Sequence, residues 1–540
     1  MQINGEYVNK NLKKLKGIMR VVFGRTTFIV VSLLAQFVIF VASIVWLTDY
    51  SSIVYTGLVL LGAVTVIHIL NEDVNSSFKM AWMIPVLLIP VFGTMAYLLV
   101  NMQLGTKVLK HRLEETEAEL IPEIYQNQEV LSALGSESEG EKGIANYLYH
   151  VAHLPVYQNN EVEYFPLGED KFQEMINQIR SAKEFIFMEY FIVAEGFMWN
   201  TILDLLKQKV EEGVEVRFMY DGMCSLALLP YGYYKDLEKY GIKCRPFSQI
   251  KPVLSTYQNN RDHRKILIID GVTAFTGGVN LSDEYINRVE RFGHWKDTAI
   301  MVKGDAVKSF TLMFLKMWNV AEKKPQHLKQ DEIRRYIKYP VTKELIQTED
   351  EYQRPLHKGG YVIPYCDSPF DGENIGKQVY IDILNRAQHY VHIMTPYLIL
   401  DDEMVAALTF CAKRGVETII IMPHIPDKIY AYLLARTYYM ELIEHGVKIY
   451  EYTPGFVHAK VFVSDDIKAS VGTINLDYRS LYLHFECAAY VYKNEVVREI
   501  EKDYQNTLSM CQEITKESYY RYSKVKMLIG KILRLFAPLM

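Results

Sequence analysis

Two sets of residues with nearly the same types and the same spacing lie 195 positions apart in this chain. The first is His263, Lys265, Asp270, Gly277, Gly278 and Asn280; the second is His458, Lys460, Asp465, Gly472, Thr473 and Asn475. Counted from each His, Lys follows at +2, Asp at +7, Gly at +14 and Asn at +17. Agreement at every offset argues for a duplicated unit. The residue types suit one chemistry. An imidazole serves as nucleophile or as general acid and base, and an ammonium or an amide N–H holds phosphate oxygens. Two sets place one imidazole on each side of a single phosphorus, the arrangement for a two-step displacement at a phosphodiester. Lys265, Lys460, Asn280 and Asn475 are the expected donors to the phosphate oxygens, and together they would stabilise a pentacoordinate phosphorus without a metal. Asp270 and Asp465 are grouped with the catalytic His–Lys pairs. Each also stands at a strand-to-turn junction, where support of the loop is the competing role.

A neutral imidazole attacking phosphorus needs a hydrogen-bond acceptor at its other nitrogen. Each half of the chain offers one. Asp297 lies 34 residues after His263, and Glu486 lies 28 residues after His458. Both precede apolar strand-like runs and are read as His-orienting carboxylates; ordinary strand-start carboxylates are the alternative.

The elements that must carry these side chains repeat in the same order. Phe185–Ile192 and Tyr390–Met394 are strand-like. Met198–Val210 and Met404–Ala412 have helical apolar spacing, and Gly213 and Gly415 end them. Val214–Met219 and Val416–Met422 are the next strands. Ile266–Ile269 and Val461–Val463 follow the two His-x-Lys steps as unbroken apolar runs, the pattern of strands buried on both faces. Alternating strands and helices predict an α/β fold of two duplicated lobes behind an N-terminal membrane region. Neither lobe alone holds two imidazoles, so one active site is expected at their seam. The expected divisions are a membrane region over 1–105, a helical connector over 106–154 with a Ser/Glu/Gly-rich loop at 135–143, lobe 1 over 155–325, a linker over 326–355, lobe 2 over 356–510 and a basic amphipathic tail over 511–540.

The chain has 540 residues and a net charge of −5, so it lacks the global basic footprint of a nucleic-acid binder. Its six cysteines show no C-x-x-C spacing, and no cluster has metal-ligand spacing, so neither a metal nor another cofactor is expected. Thr26–Leu47, Ser51–Leu70 and Met80–Val100 are long runs of low charge, with Trp46, Tyr50, Trp82 and Tyr97 near their ends, and read as membrane segments. Basic residues flank both the first run and the third. Three full spans cannot keep both flanks on one side, so either the catalytic body lies outside or one run is irregular, with Pro85 and Pro90 pointing to the third. In the tail, Lys524, Lys526, Lys531 and Arg534 alternate with apolar residues, a pattern for an anionic membrane interface; docking on the body is the alternative.

The pattern H-x-K-x4-D followed by G-[GST]-x-N resembles the phospholipase D superfamily. The run Gly472-Thr473-Ile474-Asn475-Leu476-Asp477-Tyr478-Arg479-Ser480, the later Phe485-Glu486 and the apolar N-terminus resemble its bacterial cardiolipin synthase branch. The resemblance implies a multi-pass membrane enzyme with a cytoplasmic catalytic body, acting on phosphatidylglycerol in an anionic bilayer. It further implies His263 as nucleophile, His458 as acid and base, and cardiolipin and glycerol as products. A phospholipase D hydrolase, or a transferase to another alcohol, would use the same residues. A nuclease fits poorly with the acidic body, and a non-catalytic scaffold fits poorly with two complete sets.

Overall fold

The computed structural model describes residues 52–101, 104–224, 228–248, 259–322, 327–341 and 357–539, with seven isolated positions between 34 and 46. The first lobe contains β1 (Asn160–Phe165), β2 (Phe185–Tyr190), β3 (Glu215–Asp221), β4 (Lys243–Phe247), β5 (Lys265–Ile269), β6 (Thr273–Gly277), β7 (His294–Lys296), β8 (Ala299–Gly304) and β9 (His357–Lys358). The second contains β10 (Tyr361–Asp367), β11 (Tyr390–Met394), β12 (Glu417–Pro423), β13 (Lys448–Tyr452), β14 (Gly455–Val457), β15 (Val461–Ser464), β16 (Lys468–Gly472), β17 (Glu486–Tyr492) and β18 (Cys511–Glu513).

The duplication is visible in the strand order. The first sheet runs β4-β3-β2-β5-β6-β8-β1-β9, and the second runs β13-β12-β11-β15-β16-β17-β10 with β18 beyond β13. In both, the strand after the His-x-Lys step lies antiparallel between its hairpin partner and the first strand of a parallel trio. The predicted helices are present as Phe197–Glu211 and Asp402–Lys413. Gly213 and Gly415 follow them at φ 91° and 88°, a conformation that glycine adopts without a Cβ clash. The unbroken apolar run of β5 has a physical reason. Ile266 and Ile268 point into a core shared extensively with lobe 2, while Leu267 and Ile269 point into a second core built mostly from lobe 1, with Phe456 of lobe 2 at its edge. Period-2 alternation therefore buries both faces.

Several local expectations change. The stretch 135–143 is not a loop: helices Gln128–Glu137 and Glu139–Ala152 meet there with only Ser138 between them. Ser138 Oγ caps the second helix by accepting from Glu141 N, and Glu141 receives Lys468 Nζ at 2.6 Å and Tyr490 OH at 2.5 Å, so lobe 2 fixes this turn. Within the expected linker, Gln330–Tyr336 is helical, and Tyr336 OH lies 2.6 Å from Arg217 Nη2. Residues 342–356 lie outside the described ones. β9 lies at the start of the range expected for lobe 2 yet pairs with β1 of lobe 1, and β18, just past the expected end of lobe 2, pairs with β13 of that lobe.

Near the N-terminus, Ser51–Leu70 becomes helix Ser52–Asn71, and Met80–Val100 becomes two helices, Ser76–Leu88 and Pro90–Asn101. The break is at Ile89, whose φ of −133° and ψ of 72° leave the helix before Pro90 opens the next. A Cβ on Gly93 would meet Pro85 O at 2.3 Å, so only glycine permits so close a hairpin. Among the described residues no helix is long and apolar enough to cross a membrane, which leaves the multi-pass expectation unsupported. Thr26–Leu47 lies outside the described residues apart from the isolated positions. The hairpin docks on lobe 2. Phe78 packs edge-on against Tyr478 and Tyr482, Tyr478 OH donates to Ser77 Oγ at 2.9 Å, and Asn75 Nδ2 donates to Tyr482 OH at 3.0 Å.

The tail forms helix Lys524–Arg534. It docks on helix Ile429–Glu444 through Gly530, where a Cβ would meet Leu433 O at 2.4 Å, and Arg534 lies over the Tyr438 ring. Val525, Leu528, Ile529 and Ile532 remain exposed. Docking on the body and an outward apolar face therefore coexist in one helix.

Candidate active site

Each motif His is placed by backbone pairing with the other lobe. His263 N donates to Phe485 O at 2.9 Å, and Phe485 N donates to Arg261 O at 2.9 Å. In the other half, β7 runs parallel to β14, and His458 N donates to Lys296 O at 2.7 Å. The residue after Phe485 is Glu486 and the residue after Lys296 is Asp297, so these backbone bonds bring each carboxylate to the opposite lobe's imidazole. His263 Nδ1 lies 2.9 Å from both Glu486 oxygens, across 223 residues of sequence. His458 Nδ1 lies 2.7 Å from Asp297 Oδ2, across 161 residues. The pairs cross the seam, and each imidazole takes its acceptor from the other copy of the duplicated unit.

All four groups are buried. Burial pushes His263 well below the usual imidazole range against the pull of Glu486, and burial with the charge of Lys460 pushes His458 down to about 4. Both imidazoles are therefore neutral at rest, with the Nδ1 proton held by a carboxylate and the Nε2 lone pair free. Burial works against ionisation of Glu486 and Asp297, and the paired His263 and His458 outweigh it, holding both carboxyls ionised.

Lys265 and Lys460 each curl back to the carbonyl oxygen of their own motif His, and Lys460 Nζ lies 2.9 Å from His458 Nδ1. Burial lowers Lys265 to about 8 and Lys460 to about 7. Lys460 is faced by His458, Asp297, Lys265, Glu486 and Asp477. A buried ammonium that titrates this low loses its charge as pH rises through that value. The kcat/KM of the free enzyme is thus expected to fall between about pH 7 and 8 on its alkaline side. Lys460→Arg, which keeps a cation at any accessible pH, should move that limb upward even if the rate drops. A wild-type profile flat to pH 9 would contradict this expectation.

The two asparagines differ. Asn280 accepts from Ile192 N and donates to Tyr285 OH, both at 2.9 Å, so its carbonyl is committed to the backbone. Asn475 is buried with Oδ1 lacking a hydrogen-bond partner. Asp270 and Asp465 lie at the far ends of their strands from the imidazoles, in positions that suit the competing role of loop support. Asp270 and Gly271, at φ 52° and 69°, open the three-residue connection between β5 and β6; Asp465 and Asp466, both at φ 57°, open the equivalent connection between β15 and β16. The Asp270 carboxylate accepts from Lys183, Glu184 and Phe185 N at 2.7–2.8 Å, and that of Asp465 accepts from Gln388, His389 and Tyr390 N at 2.8–2.9 Å. Each ties its turn to the start of the neighbouring strand, about 20 Å down the strand from the imidazole. Asp270→Ala is expected to cost roughly 1–3 kcal/mol of stability, read as earlier thermal unfolding with kcat within a few-fold of wild type. A kcat loss comparable to that of a His variant would return Asp270 to the chemistry.

The sequence reading missed the polar and aromatic wall around the imidazoles. Thr473 Oγ1 donates to Glu486 Oε2. Its counterpart in lobe 1 is Gly278, where a Cβ would meet Asp297 Oδ1 at 2.0 Å. His484 and Trp295 stand two residues before Glu486 and Asp297, so the duplication itself could have signalled them. The His484 ring is 5.5 Å from that of His263, and the Trp295 ring is 5.4 Å from that of His458. Phe191 also packs against His263, and Tyr285 and Phe456 against His458. Among the described residues, one set of donors is close enough together for a metal ion: His263, His484 and Glu486, within 4.8 Å of one another.

Residues 175–318 and 380–508 match the family described as "Cardiolipin synthase, PLD-like domain", and residues 60–100 match that described as "Phospholipase_D-nuclease N-terminal". An uncharacterised protein of Streptococcus mutans serotype c is 48% identical over 476 residues, which are 88% of this chain and 99% of that protein. Cardiolipin synthase 2 of Bacillus anthracis is 32% identical over 482 residues, covering 87% of this chain and 88% of that protein. In fold, the chain is similar to the phosphatidylserine synthase of Haemophilus influenzae Rd KW20, with a TM-score of 0.54 and 17% identity over 74% of this chain and 98% of that one.

Proposed function

The chain belongs to the cardiolipin synthase family with phospholipase D-like domains, and from that premise we propose that it transfers a phosphatidyl group from one phosphatidylglycerol to another, giving cardiolipin and glycerol. The observation that carries this reading is the pair of neutral imidazoles at one seam, each backed by a carboxylate of the opposite lobe. His263 Nε2 attacks phosphorus, the bond to the headgroup glycerol breaks, and a phosphatidyl-histidine forms. His458 gives the leaving oxygen its proton. It then takes a proton from the attacking hydroxyl of a second phosphatidylglycerol, whose oxygen displaces His263. The assignment of nucleophile to the first His rests on the family resemblance.

His458 must carry a second proton when glycerol leaves, yet burial keeps it neutral at rest. The arriving phosphodiester anion supplies a charge that favours the imidazolium and the ammonium forms of Lys265 and Lys460. Binding thus arms the general acid. In this reading the two ammonium groups and the Asn475 amide hold the phosphoryl oxygens, with Asn280 contributing its remaining amide hydrogen. One ester replaces another, so the reaction needs no nucleotide.

The N-terminal hairpin and the tail form the bilayer-facing side in this reading. Leu60, Val64 and Ile67 are exposed on the first helix, and Val525, Leu528 and Ile532 on the tail beside Lys524, Lys526 and Lys531. Apolar residues rimmed by basic ones suit an anionic lipid surface, with the catalytic lobes on its cytoplasmic side. The test is purified protein with phosphatidylglycerol vesicles, and products identified by mass. Cardiolipin and glycerol are expected as main products. Phosphatidic acid as the main product would favour hydrolysis instead.

A further inference from the structure

We propose that His263, His484 and Glu486 form an inhibitory binding site for a divalent transition-metal cation of the Zn²⁺ type. Glu486 Oε1 lies 2.9 Å from His263 Nδ1 and 3.7 Å from His484 Nδ1, and the three donors fall within 4.8 Å of one another. Two imidazoles and a carboxylate are a recurrent ligand set for such an ion. At metal–ligand distances near 2.1 Å, tetrahedral donors stand about 3.4 Å apart, so shifts of about an ångström complete the site. A water or a substrate oxygen would fill the fourth position.

The independent sign of a ligand is His484 itself. It is buried at 8% exposure, and neither ring nitrogen has a hydrogen-bond partner. A buried polar group left in that state costs stability, and the proposed reaction assigns His484 no task. The duplication provides an internal contrast. At the equivalent position beside His458 and Asp297 stands Trp295, which cannot ligate a cation, so one ion per chain is expected.

Occupation would silence the site through tautomerism. At rest His263 donates Nδ1–H to Glu486 and keeps the Nε2 lone pair. An ion at Nδ1 displaces that proton, and the neutral imidazole then carries it on Nε2, where attack on phosphorus needs the lone pair. No proton is gained or lost overall, and the carboxylate passes from hydrogen-bond acceptor to ligand. This consequence rests on the proposed role of His263; the binding itself does not.

The test uses full-length protein in detergent with Co²⁺ as the optical probe, and Zn²⁺ added to the vesicle assay. One Co²⁺ per chain with visible ligand-field bands is expected, displaced by Zn²⁺. The bands should vanish in both His484→Asn and His484→Phe, and the inhibitory Zn²⁺ concentration should rise by more than ~100-fold, beyond the effect of losing an outer-shell partner. Absence of bands in the wild type, or unchanged bands in both variants, would overturn the site. Bands with undiminished turnover at saturating metal would overturn the inhibition. A protein that shows the bands but makes no cardiolipin at any Zn²⁺ level would count against the proposed reaction and leave the metal site standing.

Discussion

Replacing either His263 or His458 by Ala is expected to lower cardiolipin formation by about 10⁴-fold or more while leaving a folded protein. Neither imidazole can substitute for the other, because each is held in place by a different carboxylate, supplied by the opposite lobe. Product mass spectrometry on phosphatidylglycerol vesicles measures the loss, and circular dichroism checks the fold. Activity within tenfold of wild type in either single variant would end the two-imidazole mechanism. An acid-quenched label found on His458 instead of His263 would reverse the roles and keep the mechanism.

The second large effect follows from the crossing of the pairs. Glu486→Gln removes the acceptor charge that fixes the His263 tautomer, and Asp297→Asn does the same to His458. Each should cost roughly 10²–10⁴-fold, but at different steps. Glu486→Gln should slow formation of the covalent intermediate. Asp297→Asn should slow protonation of the leaving group and attack by the second lipid. Single-turnover measurements on a His458→Ala background separate the pairs. There, Asp297→Asn should add almost nothing, whereas Glu486→Gln should add a further loss, because coupled residues share one effect and uncoupled residues each contribute. The opposite result would mean that each carboxylate serves the His of its own lobe.

Asp270 shows that one motif position supports two readings, chemistry and support of a loop. A carboxylate at a fixed offset from a reactive His suggests chemistry. Two features visible in the sequence pointed the other way: the Asp270-Gly271 dipeptide, a strong hairpin signal, and its place after an apolar strand. The structure adds the three amide N–H groups that its oxygens accept. The stretch 135–143 misled. Its Gly, Ser and Glu content reads as a loop, but Ser138 is a helix cap and Glu141 is ligated from 327 residues away.

The sequence by itself determined the duplication, the order of strands and helices, the two imidazoles and the two candidate carboxylates. Those features are local: spacing, apolar periodicity and glycine at helix ends are imposed on each segment by its own backbone. Only the tertiary structure decided which carboxylate meets which imidazole. Along the chain, Asp297 follows His263 and Glu486 follows His458, and nothing in either spacing says that the partners exchange. The exchange comes from backbone pairing across the seam, Phe485 with Arg261 and His263, and Lys296 with His458. Hydrogen bonds between segments so far apart depend on how two sheets pack, and no periodicity in either segment encodes that. The same packing carries His484 to His263 and Trp295 to His458, and so makes two halves of like sequence chemically unlike.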